Sequence, residues 1–201
     1  DVAWVENPCY WGAWSSFYAN DLSIRPIAVD GEGMNPSPLD IQSTAPKFIY
    51  TTPSHQYPTG AVMSLPRRRS LIEYANRVNA WILEDDYDSE FRFGGRPLET
   101  LQAMDRSGRV LYVGSFSKVL LPALRIGFLV APPSLRTTLR AAAYVTSWFP
   151  PWPAQGTLAS LSGTLSVLFG ARGLSLSVSA ACASAAHAIA CFEYRARRAP
   201  F

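Results

Sequence analysis

Two hydrophobic periods alternate along the chain. The runs "VAWVENP", "IRPIAVD", "KFIYTTPSH", "WILEDDYD", "RVLYVGSFSK" and "RIGFLVAP" are short and rich in β-branched and aromatic residues, and each predicts a strand. Several are nearly continuous apolar runs, the pattern expected when both faces of a sheet are covered. Between them the period lengthens. "WGAWSSFYAND" predicts a helix, and "DGEGMNPSP" predicts a turn. "LPRRRSLIEYANRVNA" places Leu71, Ile72, Ala75 and Val78 on one helical face, with Ser64 as its cap and Pro66 tolerated in its first turn. "LRTTLRAAAYVTSW" predicts a further helix, capped by Ser134. Strand–helix alternation predicts an α/β domain with a mainly parallel sheet. In such a sheet ligands sit beyond the carboxyl ends of the strands.

The last quarter departs from this pattern. "PPWPAQG" breaks it, and from Thr157 to Phe192 the only charged residue is Arg172. This Ser, Ala and Leu-rich stretch has no clean amphipathic period. Arg172 and the many serines argue against a membrane span. The reading preferred for residues 156–201 is an anomalous tail, shifted in frame or decayed, which resequencing the gene would test.

Composition changes the picture little. With 201 residues, 48% hydrophobic and 16% charged, the chain can bury one real core. A net charge of +3 does not by itself argue for nucleic acid or a membrane surface. Cys9, Cys182 and Cys191 show no metal-ligand spacing and read as thiols of a reducing compartment. "DVAWVENP" has neither a basic nor an apolar signal region, so the expectation is a cytoplasmic protein whose sequence starts within a strand.

Candidate chemistry gathers at the predicted strand ends. Lys118 is one of only two lysines, the other being Lys47. It follows an apolar strand, where an ammonium is costly unless it is paired or used. Ser115 and Ser117 offer hydroxyls beside it, and Arg125 offers a guanidinium whose fork matches phosphate oxygens. A lysine beside a phosphate pocket suggests a phosphorylated carbonyl cofactor held as a Schiff base. "LEDDYDSEF" then crowds Glu84, Asp85, Asp86 and Asp88 at another strand end. Those acids read either as a solvated or Mg²⁺-binding loop, or as a carboxylate that partners a cation such as a pyridinium nitrogen. Tyr87 lies within reach of the same ring.

Together, "PSHQYPTG", "EDDYDSEF" and "GSFSKVLLPALRIG", in that order and spacing, resemble the aminotransferase-like domain of MocR-type regulators of the GntR superfamily. The resemblance covers about residues 2–155. It implies a three-layer αβα fold, the large domain of fold type I pyridoxal-phosphate enzymes, over residues 1–155. It implies pyridoxal 5'-phosphate as cofactor, with Lys118 as the Schiff-base lysine and Asp85 as the partner of the pyridine nitrogen. Tyr87 would donate to the 3'-oxygen, and Ser115, Ser117 and Arg125 would contact the phosphate. "ENPCYWGA" resembles a family segment whose tyrosine lies over the ring. Tyr10 inherits that role beside an alternative one as a packed loop aromatic.

The departures are local and large. Tyr57 stands where related aminotransferases carry an asparagine, His55 and Gln56 receive no role from the motif, and Cys9 replaces a glycine at a turn that favours positive φ. In the family, a glycine-rich phosphate cradle and a DNA-binding winged helix-turn-helix lie upstream, and a small domain with a carboxylate-binding arginine lies downstream. The chain alone is therefore expected to bind the cofactor weakly or not at all. The resemblance implies a sensor of an amino acid or amine, homodimeric and bound to DNA through a separate domain. A free-standing aminotransferase acting on an amino acid and a 2-oxo acid is the alternative, and an inactive remnant the third reading.

Overall fold

The structure, a computed structural model, describes residues 1–88, 98–118, 127–147 and 174–178. Strand β1 (Val2–Asn7) leads into helix α1 (Trp11–Ala19) and strand β2 (Ser23–Asp30). A short strand β3 (Gly33–Met34) and helix α2 (Pro38–Gln42) follow, then β4 (Phe48–Thr51), α3 (Leu65–Val78) and β5 (Trp81–Asp86). The remaining elements are α4 (Leu101–Met104), β6 (Val110–Ser115), β7 (Gly127–Ala131), a 3₁₀ turn (Pro133–Leu135), α5 (Arg136–Ser147) and β8 (Leu174–Val178).

The strands form one sheet in the order β3-β2-β1-β4-β5-β6-β7-β8. Its centre, from β2 to β6, is parallel; β3, β7 and β8 join antiparallel to their neighbours. Strand alternation sorts the core into two layers. Ala3, Val5, Phe48, Tyr50 and Leu83 face α1 and α5, packing with Ala13, Phe17 and Leu139. Trp4, Ile49 and Ile82 face the other way, packing with Leu71, Ile72 and Ala75 of α3 and Leu101 of α4. The architecture is thus α/β, with helices on both faces of a mostly parallel sheet.

The helices follow from the predicted periods, with corrections at their ends. Ser64 caps α3 as expected, its hydroxyl accepting from the Arg67 amide. Asn79 ends the helix in the left-handed region, where its short polar side chain is tolerated. Ser134 does not cap α5: it lies inside the 3₁₀ turn that precedes it. The predicted turn "DGEGMNPSP" instead contains β3 and the start of α2, which is opened by a reciprocal Ser37–Asp40 capping box. Cys9 is also not in the left-handed region, to which Asp21 and Asn79 are the only non-glycine visitors among the described residues. A cysteine can therefore replace glycine there without backbone strain. Arg125, Arg172 and the "PPWPAQG" break lie outside the described residues; β8 is the one described part of the tail.

The chain runs from β1 to β2 on one side of the sheet, then crosses to β4, β5 and β6 on the other. The carboxyl ends of β1 and β4 therefore flank a topological switch point, where open α/β sheets hold ligands.

Candidate functional site

Four strand ends build the site. The turn after β1 carries Cys9 and Tyr10, the loop after β4 carries His55 and Tyr57, the end of β5 carries Asp85, Tyr87 and Asp88, and the end of β6 carries Ser115, Ser117 and Lys118. The rings form a connected wall. Tyr10 meets Tyr57 edge-on at 6.2 Å, Tyr57 meets Tyr87 edge-on at 6.1 Å, and His55 stacks on Tyr87 at 5.9 Å. The Tyr10 ring lies across Gly12, where a Cβ would stand 2.3 Å from a ring carbon. Glycine at that position lets the tyrosine fold back over the start of α1.

Lys118 reaches this wall. Its Nζ sits 4.4 Å from the Tyr87 ring centroid and 3.8 Å from Asp88 Oδ2. A carboxylate and a π face are both favourable neighbours for an ammonium. Asp88 Oδ2 also lies 2.7 Å from His55 Nδ1, and the Tyr87 hydroxyl is 3.4 Å from the same nitrogen. Burial and the nearby Asp88 and Asp85 push the Tyr87 phenol up to about 12, so it remains a donor across the physiological range.

Alternation along β5 separates the acids that the sequence shows only as a cluster. Glu84 turns toward α3 and α4, where it accepts from the Leu101 and Gln102 amides at 2.8 and 2.9 Å and faces Arg68 at 3.9 Å. Asp85 turns the other way and accepts from the Tyr50 hydroxyl at 2.6 Å. Asp86 accepts from the Tyr112 hydroxyl at 2.7 Å. Burial raises Asp85 to about 6; the Tyr50 hydrogen bond lowers it, while Asp86, Glu6 and Asp88 raise it further. No Lys or Arg pairs with Asp85 among the described residues.

Ser115 and Ser117 lie together at the end of β6. The Ser117 amide donates to Ser115 Oγ at 3.2 Å, and Ser117 Oγ is buried without a hydrogen-bond partner among the described residues. A buried hydroxyl in that state is a waiting donor. Of the sequence-predicted site residues, the structure places Tyr10, Asp85, Tyr87, Ser115, Ser117 and Lys118 at the carboxyl ends of neighbouring strands; Arg125 is outside the described residues. Tyr10 is partly buried against the core while its ring meets Tyr57, so packing and site wall are one position.

Two participants escaped the sequence reading. Tyr50 is the hydroxyl partner of Asp85; its register with Leu83 puts Asp85 two residues further along the same face. Glu6, at 1% exposure, is held at the switch point by Thr51, Thr52 and Gln56. The signal for Glu6 was in view: a lone charge inside the apolar run "VAWVEN". Desolvation raises its pKa, against the lowering effect of those hydrogen bonds.

Known proteins give this arrangement a context. The sequence profile of aminotransferase class I and II matches residues 1–168. The chain is 42% identical over 159 residues to the probable rhizopine catabolism regulatory protein MocR of Rhizobium meliloti, a stretch covering 79% of this chain and 32% of that protein. It is 46% identical over 130 residues to the HTH-type transcriptional regulator YhdI of Bacillus subtilis, covering 65% of this chain and 27% of the relative. Among solved structures, LysN of Thermus thermophilus, an α-aminoadipate aminotransferase complexed with N-(5'-phosphopyridoxyl)-L-leucine, superposes with a TM-score of 0.73 at 31% identity. That match covers 85% of this chain and 44% of LysN. The chain spans about a third of the length of the curated relatives it matches. It belongs to the aminotransferase class I and II family.

Proposed function

We propose that this chain is the pyridoxal-phosphate-binding, aminotransferase-like part of a MocR-type regulator of the GntR superfamily, with Lys118 as the covalent attachment point. The observation that carries the reading is the placement of Lys118 Nζ against Tyr87 and Asp88, at the carboxyl end of the sheet, where the partly buried Asp85 pairs with no Lys or Arg among the described residues. A partly buried carboxylate of raised pKa suits a site that receives a positive group. The unpartnered Ser117 hydroxyl suits one that receives an anion.

Bound there, pyridoxal phosphate supplies an electrophilic aldehyde and an electron-withdrawing ring. Asp85 would hold the ring nitrogen protonated, Tyr87 would donate to the ring's phenolic oxygen, and Tyr10 would cover the ring. Ser115, Ser117 and Arg125 would hold the phosphate. Lys118 would supply the amine for covalent attachment, and its Nζ would accept or return a proton. The regulator would sense an amino acid or amine, act as a homodimer in the cytoplasm, and bind DNA through a separate winged helix-turn-helix domain. Among the described residues no helix is long and apolar enough to cross a membrane.

The likeness to LysN supports a second reading, a transaminase acting on an amino acid and a 2-oxo acid. One experiment separates the two. The full-length protein is mixed with pyridoxal phosphate and followed by visible absorbance, by DNA mobility shift and by 2-oxo acid release. The regulator reading expects an absorbance band that Lys118→Ala abolishes, and DNA binding that changes when the amino compound is added. Sustained 2-oxo acid release with no DNA binding favours the transaminase. A band that persists in Lys118→Ala overturns the attachment site.

A further inference from the structure

Gln56 is 1% exposed, and every polar atom of its side chain is engaged. Nε2 donates to the Tyr57 carbonyl at 2.7 Å and the Pro8 carbonyl at 2.8 Å, with Glu6 Oε2 at 3.2 Å. Oε1 accepts from the Thr59 hydroxyl at 2.6 Å and the Thr59 amide at 3.1 Å. Glu6 in turn accepts from Thr51 Oγ1 at 2.5 Å and from the Thr52 hydroxyl and amide at 2.8 and 3.1 Å. Thr52 Oγ1 accepts from the Tyr57 amide at 3.1 Å. One buried amide therefore ties the turn after β1 to the loop after β4. Those two segments carry Tyr10 and Tyr57, whose rings meet edge-on at 86°. Only a side-chain amide offers two N–H donors and a carbonyl acceptor without charge.

We propose that Gln56, seated on Glu6, is a positioning residue that clamps these two loops and fixes the Tyr10–Tyr57 corner of the ring wall that Lys118 reaches. The clamp stands on hydrogen bonds within this chain; what the corner contacts rests on the cofactor reading above. Cys9 is a built-in reporter, because it sits between the clamped Pro8 and Tyr10. Its thiol is half-buried, and burial with the nearby Glu6 pushes it up to about 11, so the wild-type protein should alkylate slowly there.

The test measures two things in the full-length protein by peptide mass mapping. One is the rate of Cys9 alkylation by iodoacetamide. The other is borohydride trapping of pyridoxal phosphate on Lys118, with Lys47, which pairs with Asp1 at 2.9 Å, as internal reference. Gln56→Leu is expected to raise Cys9 alkylation on the order of tenfold and to lower the Lys118-to-Lys47 trapping ratio.

Gln56→Glu keeps the length and sets a second carboxyl against Glu6, and two carboxylates that close do not both ionise. The titratable groups around Glu6 are Cys9 on its own loop, Tyr50 on β4 and Asp85 on β5. Near about pH 5 a carboxyl proton restores one of the two lost donors, and Cys9 protection relative to wild type returns in part; near about pH 8 it is lost. A residue that only adds stability would give no such pH-dependent rescue. Unchanged Cys9 protection in Gln56→Leu, or a pH-independent Gln56→Glu, overturns the clamp. Should Gln56→Leu fail to fold, the Gln56→Glu profile decides alone. Failure of the cofactor reading shows separately, as wild-type Lys118 trapping no faster than Lys47.

Discussion

Lys118 is held by a ring and a carboxylate from another strand, and its side chain is half exposed. Its charge is therefore replaceable while its chemistry is not. Lys118→Arg keeps a cation near Tyr87 and Asp88, and an exposed pair of this kind contributes about 1 kcal/mol or less. The expected outcome is a thermal midpoint within a few degrees of wild type and complete loss of borohydride-trappable cofactor at position 118, read by mass mapping. Residue identity was the most legible level of this protein. The spacing of Lys118, Asp85, Tyr87 and the serines is fixed along the chain and survives as a motif. Their partners were not legible. Tyr50 meets Asp85, and His55 meets Asp88, only through the register of β4 on β5, and a sequence carries no direct record of which strands are neighbours. The Tyr50 hydroxyl that donates to Asp85 went unread for the same reason.

Among the elements, α3 supports the site from behind. The row Leu71, Ile72, Ala75 and Val78 was readable from its period, yet Arg68 lies on the same buried side, fully buried. Its guanidinium donates to the carbonyls of Met63, Pro53 and Glu99 at 3.0, 2.8 and 3.0 Å, and faces Glu84 at 3.9 Å. A charge in an apolar row reads as a solvated position unless the acceptors are known, and these are loop carbonyls no periodicity reveals. Arg68→Leu strands Glu84 and three carbonyls, so a loss of about 3–5 kcal/mol in denaturant unfolding is expected. Ser64→Ala removes only the cap of the same helix and should cost about 1 kcal/mol. A difference of that size between two substitutions four residues apart would locate the stability of α3 in the arginine. Short elements escaped prediction because β3, α2 and α4 are two, five and four residues long, too short to show a period.

On the scale of the whole molecule, the parallel sheet points its acids at one edge. Glu6, Glu84, Asp85, Asp86 and Asp88 all lie at or just beyond the carboxyl ends of β1 and β5. The fold class was readable from strand–helix alternation, whereas this convergence depends on the switch of strand order at β1 and β4. Desolvation raises Glu84 to about 7 and Asp85 to about 6, and raises Glu6 as well. At these three groups the folded chain holds protons that the unfolded chain has already released, so their contribution to stability is greatest below the ordinary carboxylate range and falls as pH rises through about 4 to about 7. Asp30 and Asp40 are lowered by hydrogen bonds and arginines, but both are at the surface and act only in stronger acid. Thermal midpoints are therefore expected to drop between about pH 4.5 and about pH 7.5, and Glu84→Gln should flatten that slope. The cofactor reading adds a further expectation. A cation placed against Asp85 stabilises its ionised form, so the protein loaded with pyridoxal phosphate should lose Asp85's share of the slope while keeping Glu84's. Equal slopes for the loaded and cofactor-free full-length protein would mean that nothing cationic reaches Asp85, and would remove it from the cofactor site.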